Sequence, residues 1–169
     1  MNAEVHDFEV TRLVDLLGLS PHPEGGFFRE TFRSPAMLDR GPDGAPRSAS
    51  TAITFLLPAG TLSALHVIHG ADEMWHHYGG DPLEIHTIAP DGAHRVGILG
   101  GKVHADQKPQ MLVPAGTLQA AVPLGPSYAL CGCTVTPGFD FADFEMPPRE
   151  ALLRRFPQHQ AVISKLTRG

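Results

Sequence analysis

The sequence is low in charge and has no long apolar run. Only 18% of its 169 residues are charged, the net charge is −5, and no cluster of basic residues occurs, so nucleic-acid binding is not expected. No apolar segment reaches the roughly 18 residues that a membrane-spanning helix needs. Because the first residues are polar and acidic rather than signal-like, we expect a cytoplasmic protein with no membrane partner.

Cysteine is scarce as well, with two residues that stand close together. Cys131 and Cys133 are two positions apart in a predicted strand, too close along the chain for an easy disulfide. We interpret them as buried and reduced, and a metal-binding pair is the less favoured alternative. Reduced cysteines agree with a cytoplasmic setting.

Glycine and proline are abundant, at 18 and 16 residues, and they divide the chain into short segments. From about residue 50 to 135, short alternating segments follow one another with turn residues between them, a pattern typical of a β-sandwich or barrel. Helical periodicity is confined to about 7–17 and 148–166. We therefore predict a single domain over 1–169, with a barrel at about 24–146 and a helical segment at each end.

One stretch, Gly60–Gly80, concentrates the chemistry. It contains four of the ten histidines, the single tryptophan and a glutamate. If two paired strands meet at a turn here, His66 lies on one face of the first strand. Glu73, Trp75 and His77 lie on one face of the second strand, because alternate residues of a strand point the same way. The pattern predicts that His66, Glu73 and His77 meet around one small volume.

This stretch resembles the first motif of the cupin superfamily, which reads Gly, five residues, His-x-His, three or four residues, Glu, six residues, Gly. Gly60, His66, Glu73 and Gly80 match that motif, and Ile68 replaces its second histidine.

A second cupin motif, Pro-x-Gly, two residues, His, is matched in part. Pro114 and Gly116 are in place, but Gln119 stands where the histidine belongs. The resemblance implies three histidines and one glutamate around a metal, and two of the four are missing. We therefore expect no metal cofactor. If a divalent metal is bound, its ligands would be His66, Glu73 and His77.

Further motifs resemble one cupin group, Cupin_5 or domain of unknown function 985, over about residues 12–155. They are His22–Gly26, Arg47-Ser48, Glu73–His76 with Gly80–Pro82, Pro114–Gly116 with Gln119, and Pro137–Phe139. The resemblance implies an all-β fold, a single antiparallel cupin (jelly-roll) barrel with short N- and C-terminal helices. It implies little about activity.

The segment Gly26–Arg33 resembles the N-terminal strand of cupin-fold sugar-nucleotide epimerases, which crosses to a neighbouring subunit. The resemblance implies a homodimer. By alternation, Phe28, Glu30 and Phe32 share one face. A carboxylate between two phenylalanines is costly to bury without a partner, so Glu30 either binds ligand or lies in water on an edge strand.

Two classes of function remain open at this stage. In the first, the barrel binds a small polar, carbohydrate-like molecule and acts as an epimerase or isomerase, with His66 as acid–base group and Glu73 as its orienting partner. The ligand-binding candidates are Glu30, Trp75, His77, Gln119 and Tyr128. In the second, the protein is a non-catalytic binding or sensing module; a metal-dependent cupin enzyme is a further alternative. Several other histidines, His22 among them, are assigned no chemistry.

Overall fold

A computed structural model describes residues 3–39 and 41–168. The helices are α1 (Ala3–Leu17), α2 (Arg149–Arg155) and α3 (Gln160–Leu166). The strands are β1 (Ser20–Pro21), β2 (Phe27–Arg33), β3 (Met37–Leu38), β4 (Arg47–Ser48), β5 (Thr51–Pro58), β6 (Ser63–Ile68), β7 (Asp72–Gly80), β8 (Leu83–Ile88), β9 (His94–Leu99), β10 (Gln110–Val113), β11 (Leu118–Pro123), β12 (Tyr128–Thr136) and β13 (Phe144–Glu145).

Two antiparallel sheets face each other and enclose the interior. The larger sheet has the order β1-β2-β5-β12-β7-β10, and the smaller sheet has the order β13-β6-β11-β8-β9. Strands β3 and β4 form a separate two-stranded ribbon. The predicted all-β jelly-roll barrel with helices near both ends is confirmed. No helix among the described residues is long and apolar enough to cross a membrane.

The turn after β6 moves the chain from one sheet to the other. Strand β6 pairs with β11 and β13, whereas β7 pairs with β12 and β10. The expectation that these two strands pair with each other is therefore wrong. His66 and Glu73 face each other across the barrel interior, because alternation along the chain fixes the face of a residue and not its partner strand.

Both faces of the smaller sheet contribute buried side chains, which pack against different partners. Its inner face contributes Leu83 and Ile85 to a core that also holds Trp75 and Phe55. Its outer face is covered by α2 and α3, which pack Leu152, Phe156, Ile163 and Leu166 against Leu65, Val67, Ile88 and Leu118. Full burial of such a side chain contributes about 1.5–3 kcal/mol. This covering, together with the core inside, explains why every residue of β6 is buried.

A bulge in β2 changes which residues face the interior. Glu30 pairs with Ile53 and Phe32 pairs with Ala52, so Thr31 has no opposite partner and the register shifts. The predicted common face of Glu30 and Phe32 is therefore wrong, since one extra residue reverses the alternation. Glu30 lines the barrel cavity, and Phe32 is exposed on the outside.

Candidate functional site

A cavity of about 200 Å³ lies between the two sheets at one end of the barrel. Strands β2, β5, β6, β7 and β12 contribute to its wall, together with the loop before β2 and the segment 139–144. The lining residues are His22, Glu24, Phe28, Glu30, Arg33, Thr51, Ile53, His66, Ile68, Glu73, Cys133, Val135, Phe139, Asp140, Phe141 and Phe144. A mostly apolar wall with a few convergent polar groups is characteristic of small-molecule sites.

Glu24 reaches the cavity from a tight turn that ends just before β2. Gly25 has a φ of +121°, and a Cβ atom there would lie 2.1 Å from the carbonyl oxygen of Leu62. Only glycine fits such a position. The backbone N–H of Ala64 donates to the carbonyl of Glu24 at 2.8 Å, which ties the turn to β6. The Glu24 side chain is held inside the barrel as a result.

Glu24 contacts His66 directly. The distance from Glu24 Oε2 to His66 Nε2 is 3.2 Å, and Ser63 Oγ donates to Glu24 Oε1 at 2.8 Å. His66 Nδ1 lies 2.8 Å from the carbonyl oxygen of Ala64. Since a carbonyl only accepts, Nδ1 carries the hydrogen, and the lone pair of Nε2 faces Glu24.

Burial sets the protonation of this pair. It raises the pKa of Glu24 to about 8, against the smaller opposing effects of Ser63 and Arg168. It lowers the pKa of His66, against the opposing charge of Glu73. Both shifts follow from removing a charge from water. At neutral pH the proton therefore lies on Glu24 and is donated to Nε2 of His66.

His22 stands on the other side of Glu24. Its Nδ1 lies 3.5 Å from Glu24 Oε2 and accepts from the backbone N–H of Glu24 at 3.3 Å. Burial lowers the pKa of His22 to about 4, so its imidazole is neutral at physiological pH. Its ring packs edge-on against Phe28, with centroids 4.6 Å apart. Glu24 is thus placed between two neutral imidazoles.

Glu73 approaches from the larger sheet and is held by a chain of hydrogen bonds. The indole Nε1 of Trp75 donates to Gln119 Oε1 at 2.8 Å, which leaves the amide nitrogen of Gln119 to donate to Glu73 Oε2. The thiol of Cys133 also bonds to this carboxyl, and burial raises the pKa of Cys133 so that it stays protonated. Burial raises the pKa of Glu73 too.

The structure brings only some of the predicted site residues together. His66, Glu73 and Glu30 line the cavity, whereas Trp75 and Gln119 lie behind Glu73 and fix its position. No ion pair joins Glu73 to His66 in the described part of the chain; the carboxyl in contact with His66 is Glu24.

Two further predicted residues lie outside the cavity. His77 shares the inward face of β7 with Glu73, but it stands four residues along the strand, about 13 Å away. The core side chain of Trp75 fills the interior between them, and His77 Nε2 lies 3.2 Å from the carbonyl oxygen of Asp81. Tyr128 packs near helix α1 and donates from its hydroxyl to Glu9 at 3.1 Å.

Sequence reasoning missed several of the residues that form the cavity. His22 and Glu24 received no role, although the motif His22–Gly26 was noted. A carboxylate followed by two glycines was the available signal, because such a turn can direct a side chain inward. The aromatic segment Phe139–Phe144 gave no comparable signal, since its position over the cavity depends on the fold.

The donor set does not fit the cupin metal site. Within residues 3–39 and 41–168, no three His, Cys, Asp or Glu side chains are arranged to hold a metal ion. Both ring nitrogens of His66 already have partners, and Ile68 and Gln119 occupy two ligand positions of the motifs. His77, the suggested third ligand, lies away from the cavity.

The sequence profile described as Cupin superfamily (DUF985), named Cupin_5, matches residues 11–147. The chain belongs to this family. No functionally curated protein matches this cupin.

Solved structures similar to this cupin fall into two groups. A hypothetical protein from Leishmania major is 32% identical with a TM-score of 0.88, and the match covers 94% of this chain and 98% of that one. A Shewanella oneidensis protein is 39% identical with a TM-score of 0.84, covering 93% and 96% of the two chains. The capsular polysaccharide assembling protein CapF from Staphylococcus aureus shares the fold alone, at 18% identity and a TM-score of 0.56, over 76% of this chain and 33% of that one.

Proposed function

We propose that this cupin is an enzyme that moves a proton on a small polar, carbohydrate-like molecule, as an epimerase or isomerase. The observation that carries the proposal is the contact between Glu24 and His66 in a cavity walled by phenylalanine. A carboxyl and an imidazole that share one proton at neutral pH form an effective acid–base pair. The surrounding rings keep water away from the reacting atoms.

The position of Glu73 supports epimerisation in particular. Glu73 comes from the larger sheet and His66 from the smaller one, so the two groups approach the cavity from opposite sides. In our proposal the ionised Glu73 carboxylate takes a proton from a carbon next to a carbonyl. The pair of Glu24 and His66 then delivers a proton to the opposite face of that carbon. Configuration is inverted, and protons exchanged with solvent restore both groups.

A non-catalytic binding module is the second candidate, and one observation favours it. The polar groups of the cavity floor already have internal partners: Ser63 for Glu24, Ala64 for His66 and Gln119 for Glu73. Groups held in this way can recognise a ligand without reacting with it. Under either candidate, the reduced cysteines Cys131 and Cys133 support the proposal of a cytoplasmic setting.

Hydrogen exchange into candidate ligands separates the two functions. The purified protein would be unfolded with denaturant, and any released small molecule identified by mass spectrometry. That compound and a panel of aldoses and ketoses would then be incubated with fresh protein in deuterated water. An enzyme of the proposed kind replaces the hydrogen next to the carbonyl with deuterium, which proton NMR detects. Binding without exchange would support the sensing module and overturn the catalytic proposal.

A further inference from the structure

The cavity is rich in carboxyl groups and poor in cations. Glu24, Glu30, Glu73 and Asp140 line it, and among the described residues Arg33 is the one lysine or arginine in the lining. A ligand that enters this space therefore meets an excess of acidic groups.

The single arginine is already engaged. Arg33 Nε and Nη2 donate to the two oxygens of Glu30 at 2.9 and 2.7 Å, and Nη2 also donates to the carbonyl of Phe139 at 3.0 Å. Both partners of this ion pair are partly exposed, so they stand at the mouth of the cavity. Arg33 is therefore not a partner of the deeper carboxyls.

Among the residues that the structure describes, Glu24 and Glu73 are bonded only to neutral groups. The partners are the Ser63 hydroxyl, the two imidazoles, the Gln119 amide and the Cys133 thiol. Arg168 influences Glu24 from a distance, but its guanidinium donates to the carbonyl of Pro23, and no ion pair joins the two within the described residues. Buried carboxyls without a positive partner are costly, and a bound cation would relieve that cost.

Aromatic rings form another part of the cavity wall. Phe139, Phe141 and Phe144 contact one another edge to face, with centroids 5.0 to 6.0 Å apart, and Phe28 adds a ring on β2. The faces of such rings attract cations, most strongly where water is excluded. The cavity thus offers a positive group both carboxylates and aromatic faces.

We propose that the ligand of this cavity carries a positively charged nitrogen, as a small amine or an amino sugar does. The inference rests on the proposed small-molecule function and names its ligand class. A phosphate or pyrophosphate group fits poorly here, because it requires arginine or lysine partners and would meet carboxylates instead. Sugar nucleotides are therefore unsuitable occupants of the interior.

Three probes of similar size test the charge preference. Cyclohexylmethylamine, cyclohexylmethanol and cyclohexanecarboxylate would be titrated into the full chain at pH 7.5 and followed by calorimetry. We expect the amine to bind at least about tenfold more tightly than the alcohol, and the carboxylate not to bind, because one desolvated ion pair commonly exceeds that difference. Glucosamine and glucose form a second matched pair.

Two glutamine variants test which carboxyl groups cause the preference for the amine. Glu73→Gln and Glu24→Gln should each reduce the preference for the amine over the alcohol to less than about threefold, because an ammonium group in the cavity favours the ionised form of either carboxyl, Glu24 included. Glu84→Gln, which alters a carboxyl outside the cavity, should keep the full preference. Thermal unfolding confirms that each variant is folded, and either cavity variant alone is sufficient for the test.

The binding experiments can either support or overturn the inference. Equal or tighter binding of the alcohol or the carboxylate, or no measurable binding of any amine probe, would overturn the inference. Because the readout is binding alone, amine binding without deuterium exchange would refute the proposed catalysis and leave this inference standing. Deuterium exchange into neutral sugars, without tighter binding of the amine than of the alcohol, would support the proposed catalysis and refute this inference.

Discussion

Two of the carboxyl–imidazole contacts in the molecule invite comparison, one inside the barrel and one on the smaller sheet. Glu24 Oε2 lies 3.2 Å from His66 Nε2 inside the barrel. Glu84 Oε1 lies 2.7 Å from His86 Nε2 on the smaller sheet. Distance alone would single out the second pair, yet the surroundings of the two differ in every respect that matters for chemistry.

The two pairs differ in how deeply the carboxyl is buried and in what lies next to the imidazole. The Glu24 side chain is 8% exposed, and His66 borders the cavity. The Glu84 side chain is 26% exposed, and His86 stacks on His94 with Nδ1 3.1 Å from that ring's Nε2. A contact becomes a candidate site when its charge is removed from water and a ligand can reach it.

Replacing His66 and His86 one at a time should give the largest difference between the two pairs. We expect His66→Gln to lower the rate of deuterium exchange by about 10²–10⁴-fold, the usual contribution of an acid–base group. His86→Gln should leave the rate unchanged. Initial rates measured on folded variants provide the test, and an equal loss in both would remove the distinction between the pairs.

The outer faces of the two sheets differ in how far they are covered. We propose that a second copy of this chain covers the outer face of the larger sheet. Helices α2 and α3 cover the smaller sheet, whereas Phe32, Leu112 and Tyr78 are 51 to 60% exposed on the larger one. Strand β1 pairs with β2 only at Phe27 and Phe28, which leaves part of an edge open.

Sedimentation should therefore give about twice the 18.2 kDa chain mass at micromolar concentration. Leu112→Asp should shift the protein towards the monomer by placing a charge in the contact. Val96→Asp is the control, because Val96 is similarly exposed on the smaller sheet. A wild-type mass near one chain would contradict the dimer.

Stability should respond to pH through Glu24. A carboxyl with its pKa raised to about 8 in the folded state holds a proton that the unfolded chain has lost, so stability falls as pH rises towards 8. Only above about pH 7.5 is this slope clear of His22 and His66, because their lowered pKa values make stability rise with pH until the unfolded imidazoles have lost their protons.

Glu24→Gln should flatten that slope and raise the melting temperature at pH 8 by several degrees, at about 2–4 °C per kcal/mol for a domain of this size. A melting temperature that rises with pH from 7.5 to 8 would show that Glu24 is ionised in the folded protein.

The smallest expected effect concerns metal. Neither pair has a complete ligand set in the described residues, so protein purified without a histidine tag should contain far less than one equivalent of iron, manganese, nickel or zinc. Elemental analysis decides this. If a full equivalent is found, its loss in His66→Gln or in His86→Gln would identify which of the two pairs binds it.

The fold could be predicted well because the signals for it lie in short stretches of the sequence. Alternation and turn residues mark the strands, and the spacing from Gly60 to Gly80 identifies the barrel. Which strands pair with each other was harder to predict from the sequence. Strands β6 and β7 were expected to pair, but they lie in different sheets. The bulge at Thr31 likewise leaves no clear mark in the sequence, and it reverses the side on which Phe32 lies.

The candidate site was predicted in part, because its contacts join distant parts of the chain. His66 and Glu73 could be named from one motif. The Glu24 partner of His66 lies about 40 residues earlier, and only the folded turn at Gly25 reveals the contact. Gln119 was expected to touch the ligand, whereas its amide connects Trp75 to Glu73.

That connection gives the protein a built-in optical probe. Trp75 is the single tryptophan, its indole is buried, and one amide separates it from the cavity carboxyl. Any change in the charge of Glu73 alters the electric field at the indole, because hydrogen-bonded dipoles polarise one another. Intrinsic fluorescence therefore reports on the interior of the barrel without a label, and compounds can be screened by emission wavelength before any substrate is known.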